Sequence, residues 1–166
     1  NSVTVSSNGF IGFDPFINSG CCSGVLLPTN DFLNEIIALA WVDLYPAGTG
    51  GSAITYGTVG GNFVVSFNNV VTYAENFGYS DIPMGLVNGQ IILSPTGGIT
   101  IASNSIPNGD GLYYCVTQGI EDATGANGLV SYYDCAGTPF PGLPQNVVFN
   151  SSSGGGTCSA VVNYVT

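Results

Sequence analysis

The sequence predicts an all-β fold: an antiparallel β-sandwich or barrel-like domain of about ten short strands, with an extra strand at its C-terminus. Its 166 residues suit a single domain that can bury its own core. Nine Phe, nine Tyr and many Val and Ile favour strands over helices. The 25 Gly and nine Pro provide frequent turns, and the apolar segments between them are short.

The N-terminal part contains three predicted strands. Residues 3–7 alternate between apolar and polar side chains, and Asn8-Gly9 predicts a tight turn into a second strand over residues 10–13. Residues 14–34 contain several Gly and Pro and are interpreted as a loop. Residues 35–41 are continuously apolar after the first position, which favours a buried strand, although a short helix also fits.

The rest of the body alternates strands with turns. Residues 43–52 are rich in Gly and Pro and predict a connection. Gly60-Gly61 and residues 95–98 predict hairpin turns. Strands are predicted over residues 53–58, 62–67, 89–94, 99–101, 113–117, 129–133 and 146–149.

The chain divides into three predicted parts. Residues 1–150 form the β domain, residues 151–156 are a flexible linker composed of Ser and Gly, and residues 157–166 carry a further strand. This C-terminal strand either returns to its own sheet or adds to the sheet of a neighbouring copy. The sequence leaves both arrangements open.

The charge of the chain excludes several functions. It carries ten Asp and Glu and no Lys, Arg or His, which gives a formal net charge of −10. Nothing in it can neutralise nucleic-acid phosphates or an anionic membrane surface, and no apolar run approaches the roughly 18 residues of a membrane-spanning helix. A Ser-His or Cys-His nucleophile cannot be built. Asp43, Glu121 and Asp122 are carboxylates of the type that hydrolyses glycosides, but their spacing does not pair them, and we expect no enzyme.

The same imbalance predicts an unusual pH dependence. Carboxylates without cationic partners repel each other, and burial disfavours their charged form, so their pKa values should be raised in the folded state. The folded state then binds more protons than the unfolded state. Stability should therefore rise as the pH falls through that range.

Five cysteines make disulfides the available covalent link. A sequence that begins with Asn is most simply a mature chain whose export signal was removed, so disulfides are expected. Cys115 and Cys135, on neighbouring predicted strands, would close a loop worth about 3 kcal/mol. Adjacent Cys21 and Cys22 point to different partners, and Cys158, beyond the linker, can reach another copy. The odd number leaves at least one cysteine without a partner in its chain, and the sequence does not fix the pairing.

Ion and glycan sites have weaker signals. The cysteines lack a zinc-binding spacing, and no cofactor is required. Calcium is the candidate ion, through loop oxygens of Asp14, Asp43, Glu121 and Asp122, although solvated carboxylates are the simpler interpretation. Asn150 begins an Asn-x-Ser/Thr sequence beside the linker and is a glycosylation candidate.

Five segments occur in a characteristic order: residues 5–13, 20–24, 36–44, 63–70 and 119–125. Together they resemble the nidogen-like extracellular domain, in the version found in prokaryotic surface proteins, over roughly residues 3–150. The resemblance implies a β-rich module of adhesion and matrix assembly without catalytic residues. It also implies an additional apolar strand before residues 3–7, which this chain begins too late to supply, and basic surface residues, which it lacks.

Two functions fit these observations. The first is a structural subunit that assembles with copies of itself into an extracellular sheath, filament or surface layer. Its C-terminal strand would complete a neighbour's open sheet, and a disulfide would lock the contact. A charged fraction of 6%, against roughly 25% in typical soluble domains, favours a chain covered by neighbours.

The second function is a monomeric adhesion or glycan-binding module of a cell-surface protein. Tyr113-Tyr114 and Tyr132-Tyr133 are candidate sugar-stacking pairs. In such pairs, however, one ring normally lies in the core. An exposed aromatic groove would favour this second function.

Overall fold

Strands make up most of the computed structural model, which describes residues 2–14, 22–48, 51–79, 85–109, 114–135, 140 and 142–150, and the backbone of residues 159–164. This described part of the chain contains twelve strands and one short helix. They are β1 (Thr4–Val5), β2 (Phe10–Gly12), β3 (Ile36–Trp41), β4 (Leu44–Tyr45), β5 (Ala53–Val59), β6 (Asn62–Thr72), α1 (Tyr73–Phe77), β7 (Leu86–Leu93), β8 (Ile99–Ser105), β9 (Val116–Glu121), β10 (Gly128–Asp134), β11 (Gln145–Asn150) and β12 (Ser159–Tyr164).

The strands form two sheets in which all paired neighbours are antiparallel. The first sheet has five strands in the order β1-β2-β3-β9-β10. The second has seven, in the order β12-β11-β8-β7-β6, with β4 and β5 pairing with different stretches of β6. The predicted all-β antiparallel sandwich is confirmed.

The main core lies between the two sheets. Leu39 comes from the first sheet, and Phe67, Ile91, Ile101 and Phe149 come from the second, all of them buried. Val147 of β11 joins the same core. β11 is therefore part of the sandwich interior.

The third strand is buried on both faces. Ile37 and Leu39 belong to the main core. A second cluster lies on the outer face under residues 22–34 and contains Phe10, Leu27, Leu33, Ile36, Ala38 and Trp41. Burial on both faces explains the uninterrupted apolar run of β3, and the strand interpretation is confirmed.

One polar side chain ties the sheets together inside the core. Gln118 of β9 is fully buried. Its Nε2 donates to the Leu39 carbonyl oxygen at 3.0 Å and to Ser103 Oγ of β8 at 2.8 Å. Its Oε1 accepts from Ser131 Oγ at 2.8 Å. Because each polar atom has a partner, the amide is buried without an unsatisfied group.

The helix α1 was missed because five residues give no helical periodicity. Its ends do carry a signal: Thr72 Oγ1 accepts from the Glu75 N–H at 3.2 Å, and Gly78 ends the helix in a left-handed conformation with φ 67°. Thr-x-x-Glu is the capping sequence that marks a helix start. Within the described residues, no helix is long and apolar enough to cross a membrane.

Two strand assignments differ from the prediction. β4 lies in the region interpreted as a connection, since two residues are too few for a pattern. β9 spans Val116–Glu121 instead of 113–117. Within β9, a Cβ at Gly119 would lie 2.5 Å from the Leu129 carbonyl oxygen. The close approach of β10 is what requires glycine there.

The C-terminal strand pairs with β11 of its own chain in this structure. The register runs without interruption from Gln145 opposite Tyr164 to Asn150 opposite Ser159. β12 is the edge strand of the seven-stranded sheet. The linker, residues 151–156, lies outside the described residues.

We expect alanine at Gly9 to destabilise the fold by about 3 kcal/mol or more. Gly9 has φ +83°, and a Cβ there would lie 2.0 Å from the Ala40 carbonyl oxygen of β3. Backbone on both sides prevents relief of this contact. The free energy of unfolding of Gly9→Ala, from urea denaturation, measures the effect.

Gly60→Ala is the matched control. Gly60 also has positive φ, +57°, but nothing lies within 4 Å of its Cβ position. This variant should lose only the roughly 1–2 kcal/mol of the left-handed conformation. Equal losses in the two variants would contradict the role assigned to the contact with β3.

Candidate functional site: an open sheet edge beside an apolar groove

β1 forms one edge of the five-stranded sheet. Within the part of the chain that the structure describes, its strand neighbour is β2 alone, with Thr4 opposite Gly12 and Val5 opposite Ile11. The outer side of β1 therefore presents strand backbone without a strand partner. Such an edge is a template for strand addition.

An apolar groove with a volume of about 650 Å³ opens beside this edge. It is lined by Val3 and Val5 at the β1 edge and by Tyr56, Phe63 and Leu93 from the second sheet. The Tyr56 and Phe63 rings have centroids 6.2 Å apart. Val3, Val5, Phe63 and Leu93 are partly buried against the main core, so the groove is an extension of that core toward solvent.

The groove exists because the two sheets differ in width. Tyr56 of β5 lies opposite Val65 of β6, which is fully buried. Opposite residues of an antiparallel pair project from the same face, so Tyr56 occupies the inner face of the second sheet. It is nevertheless 73% exposed. Among the described strands the first sheet ends at β1, and one more strand beside β1 would cover this part of the inner face.

On the other side of the sandwich, the backbones of the two sheets come close together. β10 and β12 are the edge strands there, and they contact each other across the sandwich. The open edge at β1 and the C-terminal strand therefore lie at opposite ends of the sheets. The two ends of the sandwich therefore present different surfaces.

A cluster of four rings, here called the aromatic patch, lies on and beside β4 and α1. Its members are Tyr45, Tyr73, Phe77 and Tyr79, with neighbouring ring centroids 4.6 to 6.2 Å apart. Phe77 is 45% exposed and Tyr79 is 67% exposed. No sequence pattern indicates this patch, because neither β4 nor α1 is predicted from the sequence.

The aromatic pairs named from the sequence lie elsewhere. Tyr132 is buried, its ring packs on Phe140, and its hydroxyl donates to Asp134 Oδ2 at 2.9 Å. Burial, with the hydrogen bond and the charge of Asp134, raises the pKa of Tyr132. Tyr133 and Tyr114 are half-buried, and Tyr113 lies outside the described residues. Tyr132 is thus the core member of its pair.

The four carboxylates named as calcium candidates are not brought together. Among the described residues, no three Asp, Glu or Cys side chains converge on a point that could hold a metal ion. Asp122 is used in a turn, where its Oδ1 accepts from Thr124 Oγ1 at 2.8 Å and its Oδ2 from Asn127 Nδ2 at 2.7 Å. These hydrogen bonds lower the pKa of Asp122 to about 2.

Burial raises the pKa of two other carboxyl groups, Asp43 and Glu121. For Glu121 a hydrogen bond from the Thr29 N–H opposes the effect of burial, and repulsion from Asp31 and Asp122 adds to it. The predicted upward shift is found at Asp43 and Glu121. It is wrong for Asp122, because neutral hydrogen-bond donors there replace the missing cation.

The disulfide pattern is described in part. Cys115 and Cys135, directly before β9 and after β10, form a disulfide with Cα atoms 4.4 Å apart. Cys22 is also disulfide-bonded. Cys21 and Cys158 lie outside the described residues. Asn150, the glycosylation candidate, is exposed at the end of β11.

A model of the family described as NIDO related matches residues 1–139. The chain belongs to this nidogen-related family. The resemblance drawn from the sequence is confirmed, while the prokaryotic version stays a prediction. Neither the curated proteins nor the solved structures contain a significant match. Membership in the nidogen-related family and the Cys115–Cys135 disulfide fit an extracellular domain.

The raised pKa of Asp43 predicts a pH-dependent effect of Asp43→Asn. Since the folded protein holds this proton more tightly than the unfolded chain, the parent gains stability as the pH falls through the folded pKa toward 3.8. The isosteric variant has no such gain. It should be more stable than the parent at pH 7, and the difference should shrink toward pH 3.5.

Urea denaturation at pH 7, 5 and 3.5 measures this difference in the free energy of unfolding. Asp122 adds the opposite dependence in both proteins, because its stabilisation is present above 3.8 and is lost as the pH falls toward 2. The contribution of Asp122 to stability is the same in both proteins, so it cancels in the difference between their free energies of unfolding. A difference that grows on acidification would contradict the burial of the Asp43 carboxylate as the cause.

Proposed function

We propose that this nidogen-related domain is a structural, non-catalytic subunit that assembles with copies of itself outside the cell, as a sheath, filament or surface layer. The contact is strand addition: the C-terminal strand of one copy enters the groove of the next and pairs with β1. The observation that carries the proposal is the open β1 edge beside an apolar groove. Extended segments bind such edges through their backbone and fill the adjacent pockets with alternate side chains.

The sequence of the C-terminal strand has the alternation that this contact requires. In its register with β11, Ala160, Val162 and Tyr164 lie opposite positions whose side chains are buried in the core. Ser159, Val161 and Asn163 occupy the alternate positions, and two of these three are polar. A strand whose alternate side chains suit pairing with β11 has the same pattern that pairing with β1 requires.

The linker is long enough for exchange between copies. The linker (residues 151–156) and the two residues after it connect the end of β11 to the start of β12. A segment of this length spans roughly 25–30 Å when extended. This length is about twice the radius of gyration of a domain of this size, which is about 15 Å. Because the donor strand and the acceptor edge lie at opposite ends of the sandwich, successive exchanges give a head-to-tail polymer rather than a closed pair.

The surface chemistry supports a chain covered by neighbours. Charged residues make up 6% of the sequence. Several large apolar side chains are exposed, led by Phe32 at 90%, with Val59 at 65% and Leu26 at 57%. Apolar surface of this extent is expected at contacts between copies.

Disulfides between copies are part of the proposal. Five cysteines cannot all pair within one chain, so at least one is available for a second chain or remains a thiol. An exchanged strand that carries Cys158 would place that cysteine on the neighbouring copy. The link would convert a reversible contact into a covalent one.

A glycan-binding module of a cell-surface protein is the second candidate function. The aromatic patch favours it, because exposed rings offer flat apolar surface to a sugar. This candidate predicts a monomer whose ligand affinity depends on Tyr79. Size measurements under native conditions, with and without reducing agent, separate it from the polymer.

Tyr56→Asp should abolish assembly and leave the monomer folded. The side chain is already 73% exposed, so the fold tolerates the change, whereas strand addition would bury the new charge. Thr55→Asp is the matched control, since Thr55 is the exposed neighbour on the opposite face of β5 and gains the same charge. Light scattering and negative-stain microscopy measure assembly.

The outcome also identifies the occupant of the groove. Loss of assembly in Tyr56→Asp, with Thr55→Asp unchanged, supports strand addition between copies. Loss of stability in the monomer without a change in assembly would mean that a segment of the same protein fills the groove. Equal assembly in both variants would contradict the proposal.

Deleting residues 151–166 should also abolish assembly. The deletion removes the donor strand and leaves Val147 and Phe149 of β11 in the core. Near-native circular dichroism with a monomeric mass is the expected result. Polymers formed by the truncated chain would show that another surface makes the contact.

A further inference from the structure

The end of β9 meets the segment that covers the outer face of β3. Glu121, the last residue of β9, accepts a hydrogen bond through Oε1 from the Thr29 N–H. Gly125, in the turn after β9, packs closely on the same segment. A Cβ at Gly125 would lie 2.4 Å from Asn34 Oδ1 and 2.7 Å from the Thr29 carbonyl oxygen. Thr29 thus brings the strand end, the turn and the segment to one place.

Glu121 and Asn34 both contact the region around Thr29 and Gly125, and each has an oxygen atom that is buried without a hydrogen-bond donor, Glu121 Oε2 and Asn34 Oδ1. Glu121 as a whole is 6% exposed. The amide of Asn34 is oriented by its Nδ2, which donates to the Asp31 carbonyl oxygen at 2.8 Å, so Oδ1 is the unpaired acceptor. A buried acceptor without a partner costs about 1–3 kcal/mol, and more when it is charged. A bound group from outside the chain would give these two oxygen atoms a partner.

The surroundings favour a positive ion as that group. The chain has no Lys, Arg or His to offer. Asp31 and Asp122 repel the charge of Glu121, so the potential at this place is negative. The carboxylate of Asp122 is engaged in its turn and contributes charge rather than a ligand atom. A cation would satisfy both unpaired oxygens and reduce the repulsion at once.

We propose that Ca²⁺ binds here, with Glu121 Oε2 and Asn34 Oδ1 as ligands. The Asp31 carboxylate is the third ligand, although its Oδ1 also accepts from the Leu33 N–H at 2.7 Å. Carboxylate and amide oxygens form the donor set that calcium prefers, whereas zinc selects nitrogen and sulfur. Mg²⁺ requires a stricter octahedral geometry and keeps its waters. Two carboxylates place the site among weak extracellular calcium modules, with Kd of about 10⁻⁴ to 10⁻³ M.

Bound calcium would fasten the covering segment to the first sheet. Leu27 and Leu33 of that segment belong to the second apolar cluster with Trp41. An ion that binds the folded state and not the unfolded chain raises the folding equilibrium constant by 1 + [Ca²⁺]/Kd. With the Kd above, 10 mM CaCl₂ should raise it roughly 10- to 100-fold.

The full chain, freed of metal with a chelator, is titrated with CaCl₂ by calorimetry and unfolded with urea in 0 and 10 mM CaCl₂. We expect one site per chain and a stability gain that MgCl₂ does not reproduce. Glu121→Gln should lose the gain, because it keeps the acceptor for Thr29 and loses the ligand charge. Glu75→Gln removes the same charge from the exposed face of α1 and should keep the gain.

Asp31→Asn provides a second variant in case Glu121→Gln does not fold, and it should weaken calcium binding at least about threefold. The proposal is overturned if the parent binds no calcium up to 10 mM, which would leave a water or a proton on Glu121. It is also overturned if Glu75→Gln weakens binding as much as Glu121→Gln or Asp31→Asn. Calcium would then bind only to scattered surface charge.

Discussion

Every carboxylate in this protein must be accommodated without a cationic side chain, and much of the structure follows from how this is done. Asp122 takes its partners from a turn that it organises itself, through Thr124 and Asn127. Asp134, 1% exposed, accepts from Tyr132 Oη and from the Gly109 N–H. Both replace an ion pair with neutral donors, which for the buried Asp134 avoids the high cost of an unpaired charge. Among the described carboxylates, Glu121 has a buried oxygen for which this solution is incomplete.

Stability must therefore come from apolar burial and from satisfied polar groups. β3 contributes to two apolar clusters because it is covered on both faces. Gln118 joins the two sheets with an amide in place of a buried ion pair, so no charge has to be desolvated. The weak point of this arrangement is its edge. The five strands of the first sheet cannot cover the seven of the second, and Tyr56 marks the place where cover ends.

The sequence predicts those parts of the fold whose signal is local. Asn8-Gly9 and Gly60-Gly61 specify their turns, and the run that became β3 is unambiguous once its burial on two faces is recognised. Prediction from the sequence fails where contacts with residues distant in the chain determine the local structure. β9 extends to Glu121 instead of ending at residue 117, and the close approach of β10 requires glycine at position 119, which no local pattern encodes.

The candidate sites follow the same rule. The family resemblance implies an apolar strand beside residues 3–7. The partners of Val5 across the groove, Tyr56 and Leu93, become neighbours only through the order of strands in the second sheet. Asn34 and Glu121 are far apart in sequence and meet because the turn at Gly125 packs on the covering segment. Sequence alone names Glu121 as one acid among ten, and the fold makes it the one with an unpaired buried oxygen among the acids that the structure describes.

The two proposals are connected by charge. Copies with a net charge of −10 repel each other, and strands paired about 4.8 Å apart bring them well inside the Debye length of roughly 8 Å at physiological ionic strength. The groove itself is lined by uncharged side chains, so the repulsion arises from the surrounding surface. This repulsion opposes every contact between copies. In the proposed assembly it would be offset where backbone pairing at β1 and burial of the apolar groove coincide, so the same charge that favours a bound divalent ion would select against contacts without such a gain.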